Sequence, residues 1–91
     1  MSGESSFDLS IIAHDRIVFE GKATSIVAPG AYGYLGVMAR HRPMIASLGR
    51  GTLTVLDESG HAGRWALNQG VMEVVANTVT ILAEDIQSVS G

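Results

Sequence analysis

Val71-Met72-Glu73-Val74-Val75-Ala76-Asn77-Thr78-Val79-Thr80-Ile81-Leu82 decides the fold class. Val, Thr and Ile dominate it, and these β-branched side chains favour a pleated strand over a helix. Ala76-Asn77 divides two short runs of period two, which predicts a hairpin with Met72 and Val74 facing Val79 and Ile81. The same signal recurs upstream. Phe7-Asp8-Leu9-Ser10-Ile11 alternates, Ile17-Val18-Phe19 follows the polar turn His14-Asp15-Arg16, and Glu20-Gly21-Lys22 reads as a turn into Ala23–Ala28, stopped by Pro29-Gly30. Thr52–Leu56 alternates before a polar loop at 57–61, and Arg64–Asn68 returns with Trp65 and Leu67 on one face. The best helical window, Val37–Leu48, holds Pro43 near its middle and admits a single turn at most. Strands at intervals of about 8–12 residues belong to sandwiches and barrels, so the chain reads as one all-β domain.

Composition bounds what such a domain does. The 91 residues are 46% hydrophobic and 16% charged, which supplies a core and excludes disorder as the main state. Six Lys and Arg against nine Asp and Glu give a net charge of −3, a poor balance for nucleic-acid binding. Without cysteine there is no disulfide, thiolate metal site or thiol chemistry. No apolar run reaches membrane-helix length, and the polar start at 1–6 reads as a disordered tip without signal-peptide character, so the default compartment is cytosolic. His14, His41 and His61 fall in three separate expected loops, with no metal-ligand spacing among them. The carboxylate pairs Asp57-Glu58 and Glu84-Asp85 are adjacent residues, whose side chains diverge on a strand. No Gly-x-Ser-x-Gly elbow occurs, and Gly30–Gly36 lacks the Gly-Lys-Ser/Thr of a phosphate loop. That glycine-hinged segment carries Tyr32 and Tyr34 on an expected exposed tip, where aromatic rings suit an interface. Arg40-His41-Arg42-Pro43 concentrates positive charge, either as a solvated turn or against an acidic partner. Lys22, the sole lysine, lacks the flanking residues of a biotinyl or lipoyl carrier.

Three segments, in order, carry a family resemblance. The first runs from Phe7–Ile12 through Phe19-Glu20-Gly21. The second joins Gly33-Tyr34-Leu35-Gly36-Val37 to His41-Arg42-Pro43-Met44-Ile45, and the third joins Gly70–Val74 to Val79–Glu84. From Phe7 to about Ile86 the chain resembles the N-terminal domain of the epsilon subunit of F-type ATP synthases, the delta subunit in mitochondrial naming. The resemblance implies a flattened β-sandwich of about ten mostly antiparallel strands spanning 7–86, with a polar tip at 87–91. It implies a non-catalytic part of the rotating central stalk, without cofactor or metal, that links the gamma subunit to the membrane ring of c subunits and couples ion transport to ATP synthesis or hydrolysis. Its location would be the cytoplasmic face of a bacterial membrane, held there only through the complex. The gamma-facing positions carried over are Ala13, His41, Met44 and Ala46, and the ring-facing ones are Tyr32, Gly33 and Tyr34. Many members have an acidic residue where this chain has Tyr34, which implies an aromatic ring contact, and Arg40 replaces the glycine that commonly precedes the motif histidine. The resemblance does not reach the helical hairpin of many bacterial members, so inhibition and ATP binding are not assigned. A free-standing small-ligand or peptide-binding β module is the alternative, and it requires a concave apolar pocket.

Overall fold

The computed structural model describes residues 5–89. Nine strands follow one another without a helix among the described residues: β1 (Phe7–Ala13), β2 (Arg16–Gly30), β3 (Gly33–Met38), β4 (Met44–Leu48), β5 (Gly51–Asp57), β6 (Ala62–Leu67), β7 (Gly70–Val75), β8 (Thr78–Ala83) and β9 (Ile86–Ser88). The expected hairpin is present, with Met72 opposite Ile81 and Val74 opposite Val79. All four side chains are buried. Burial alternates along β1, β7 and β8, so period two in the sequence becomes one dry face and one wet face.

One long strand, β2, runs through both layers and wraps the others into a sandwich. The first half of β2 pairs with β1, and its second half pairs with β5 on one edge and β3 on the other. β4 and β5 both run antiparallel to β2, but β4 pairs onward with β7 and β5 with β6. One layer is therefore β2(first half)-β1-β8-β7-β4, and the other is β3-β2(second half)-β5-β6-β9. Every pairing is antiparallel except β1 with β8. The core between the layers includes Phe7, Leu9, Ile11, Ile26, Leu53, Met72 and Ile81, all essentially without solvent contact. Burying one such side chain is worth about 1.5–3 kcal/mol.

Three sequence expectations change. Glu20-Gly21-Lys22 is not a turn: β2 runs straight through it, with Gly21 opposite Leu9. A Cβ on Gly21 would sit 3.4 Å from the Phe19 ring, an ordinary contact distance, so space alone does not demand glycine there. The expected stop at Pro29-Gly30 is present: β2 ends at Gly30, with Pro29 opposite Tyr34 and its carbonyl accepting the Gly49 N–H at 2.8 Å. Of the expected polar tip at 1–6, residues 1–4 lie outside the described residues, whereas Ser6 is 8% exposed and its carbonyl accepts a 2.9 Å bond from the Asn77 amide. At the other end, Gln87 and Ser88 belong to β9 and pair with Ala66 and Trp65 instead of forming a free tip; residues 90–91 lie outside the described residues.

Candidate functional site

The two layers do not close on each other everywhere. Among the described residues β3 pairs only with β2, and β4 meets β2 at a single position, Gly30 with Leu48. β3 ends one layer and β4 ends the other, so an open seam runs between them. Inward-facing Leu35, Met44 and Ala46 are half-buried there against the edge of the core. Residues 30–35 and 44–47 line a groove of about 380 Å³ along this seam. Ile45, on the outer side of β4, is 74% exposed.

The groove gathers residues that the sequence assigns to two different partners. Tyr32, Gly33 and Tyr34 line one end, and Met44 and Ala46 line its flank. Tyr32 is fully exposed in the two-residue turn between β2 and β3. Gly33 has φ +139, a backbone region that glycine adopts freely. Tyr34 is not on a free tip. It lies within β3, its hydroxyl accepts the Thr52 N–H at 3.1 Å, and 60% of its surface is exposed. A Cβ at Gly51 would come within 2.7 Å of that hydroxyl and 2.6 Å of Pro29, so Gly51 makes room for the ring to lie along the sheet.

His41 sits at the far end of β3, half-buried, with Nδ1 2.8 Å from the Arg42 carbonyl, a bond that requires the proton on Nδ1. Its loop is held from below. Arg40 adopts φ +62, and its N–H donates to the Asn77 side-chain oxygen at 2.7 Å, while the Asn77 amide donates to Ser6. The carboxamide thus fixes the left-handed residue that stands where the resemblance expects glycine. Ala13 departs from its expected role. It is 2% exposed and opposite Ala83 in the core, so its side chain offers no surface to a partner.

Sequence reasoning overlooked Leu35 and Ile45 in the seam, and a second apolar row elsewhere. Val71, Leu82 and Ile12 are neighbours across β7, β8 and β1 on the outer face of their layer, with Ile17 beside Ile12 on β2. Apolar residues at the outward positions of alternating strands were the available signal. Another hollow, about 470 Å³ and open, mixes polar Arg50, Thr52, Asn68, Asp85 and Gln87 with apolar Ala66 and Leu67. Among the described residues no three His, Cys, Asp or Glu side chains are placed to hold a metal ion.

Comparison with known proteins gives this geometry a family. Residues 6–89 match the model of the ATP synthase, Delta/Epsilon chain, beta-sandwich domain. The ATP synthase epsilon chain of Syntrophomonas wolfei is 38% identical over 81 residues, covering 89% of this chain and 59% of the relative. That of Moorella thermoacetica is 38% identical over 79 residues, covering 87% and 59%. The chain thus spans about six-tenths of the length of these curated relatives. Among solved structures, a chain of the Euglena gracilis mitochondrial ATP synthase (OSCP/F1/c-ring, rotational state 1) superposes with a TM-score of 0.87 at 21% identity, over 92% of this chain and 54% of that one. A chain of the Tetrahymena thermophila mitochondrial ATP synthase central stalk/c-ring superposes with a TM-score of 0.73 at 16% identity, over 88% and 64%. At those identities the superpositions speak for the fold. With nearly every described residue inside the family match, the chain belongs to the ATP synthase delta/epsilon family and carries its β-sandwich domain.

Proposed function

We propose that this protein is a non-catalytic rotor subunit of an F-type ATP synthase, bridging the gamma subunit and the c-ring at the cytoplasmic face of a bacterial membrane. The observation that carries the reading is the open apolar seam, which has an aromatic turn at one end and the His41 loop at the other. β3 separates the two ends by six residues, or about 20 Å at strand rise. A body that transmits torque needs two attachments apart from each other on a stiff frame. Here β3 and β4 supply the spacing, and the hydrogen-bonded sandwich supplies the stiffness.

The gamma-facing surface in this reading is the seam flank, with Met44 and Ala46, together with His41; Ala13 supports it only from within the core. The ring-facing surface is Tyr32-Gly33-Tyr34. Tyr32 contributes free aromatic area, and Tyr34 is held in place by the Thr52 hydrogen bond. Rings of this kind bury large area while leaving the hydroxyl wet, which suits contact with polar loops.

Tyr32→Asp tests the ring contact. The side chain is fully exposed and makes no hydrogen bond or ring contact among the described residues, so the melting temperature should stay within about 2 °C of wild type. ATP-driven ion pumping in membranes carrying the variant should fall several-fold at equal incorporation. Unchanged pumping at equal incorporation would count against Tyr32 as a ring contact.

A further inference from the structure

The two sides of the sandwich treat their exposed strand edges differently. On one side the first half of β2 is an edge carrying Arg16, Glu20 and Lys22, and β9 is only three residues long. Charge and brevity are the usual means by which a free edge is kept from pairing with another chain. On the seam side, Gly33-Tyr34-Leu35-Gly36-Val37-Met38 and Met44-Ile45-Ala46-Ser47-Leu48 contain no charged residue and no proline. An edge left this unprotected, over a groove with an apolar floor, is suited to being covered by another strand.

The ladder fixes which backbone groups are free. Ala31 N–H donates to Ser47 at 2.9 Å and Gly49 N–H to Pro29 at 2.8 Å, so residues 29 and 31 face β4. Antiparallel pairing alternates, so residues 26, 28 and 30 face β3, and their partners Val37, Leu35 and Gly33 bond back. Tyr34, Gly36 and Met38 therefore turn their N–H and C=O groups outward. A Cβ at Gly36 meets nothing within 4 Å, so a neighbouring backbone can approach closely there.

We infer that the stalk partner docks here by strand addition: an extended segment of about five or six residues pairs with the outer edge of β3 and drops alternate apolar side chains over Leu35, Met44 and Ala46. Exposed Arg40 and Arg42 stand in the loop at one end of the seam, so the segment carries Asp or Glu at that end. Main-chain hydrogen bonds supply affinity and the groove supplies register, as in other β-augmented complexes. The inference depends on the gamma-binding role proposed above and adds how the contact is made.

The test is amide hydrogen exchange on the chain alone and in complex with the gamma subunit of its own source. Exchange at Tyr34, Gly36 and Met38 should slow at least tenfold in the complex, while Val71 and Leu82 on the outer face of the other layer stay unchanged. In parallel, Gly36→Pro, which removes an outward donor, should weaken binding at least tenfold relative to Gly36→Ala, which keeps it. A complex that leaves those three amides unprotected, or that tolerates a folded Gly36→Pro variant, overturns strand addition while leaving the stalk role standing. Absence of any complex overturns the stalk role and strand addition together, and self-association with the same amides protected assigns the edge to a second copy instead.

Discussion

Gly70→Ala is expected to lower the melting temperature by about 15 °C or more, corresponding to about 3 kcal/mol in a domain this small. Gly70 opens β7 opposite both Leu48 and Ala83. A Cβ there would overlap the Leu82 carbonyl oxygen and lie 3.1 Å from the Ala83 Cα. Those atoms are backbone in a paired strand, so neither can retreat as a flexible side chain would. The β7–β8 ladder must shift, and with it Met72 and Ile81 at the centre of the core. Gly36→Ala provides the contrast. Its Cβ projects into open space, and a less flexible unfolded chain should leave the protein equal to wild type or more stable by about 0.5–1 kcal/mol. Thermal unfolding followed by circular dichroism checks both. Equal melting temperatures for the two variants would mean that Gly70 is not under the constraint described.

Ala46→Arg is expected to weaken gamma binding about 100-fold while the sandwich still folds. Ala46 faces inward on β4 opposite Met72, half-buried where the seam is open. An arginine there can run its stem along the groove and leave its guanidinium in water, at a folding cost of about 1–2 kcal/mol. It fills the hollow that a partner's apolar side chains would enter and places a charge at the centre of the contact. Titration calorimetry reads the affinity, and the melting curve of the isolated variant separates lost binding from lost folding. Wild-type affinity in a folded Ala46→Arg protein would remove the seam flank from the gamma interface.

Alternation made β1, β5, β7 and β8 legible, because each has one face in the core and one in water. β2 was not legible as a single strand. Its Glu20-Gly21-Lys22 carries local turn chemistry, and only the successive partners β1, β3 and β5 explain why the chain continues. The site was half legible. The aromatics beside Gly33 and the apolar Met44 and Ala46 stand out in the sequence, but their meeting in one groove depends on β3 and β4 ending opposite layers, which no local pattern encodes. Ala13 was misassigned for a related reason: alignment transfers a position, whereas burial is set by the pairing of β1 with β8. Tyr34 looked like part of a free loop because its anchor, the Thr52 amide, lies 18 residues away in sequence.

The central claim is that this domain is a stalk component, and size-exclusion chromatography with light scattering tests it most directly. The chain is mixed at micromolar concentration with the gamma subunit from its own source. A single peak whose mass equals one copy of each is the predicted result. Separate peaks at their individual masses, together with failure to join the assembled catalytic head and ring, would contradict it.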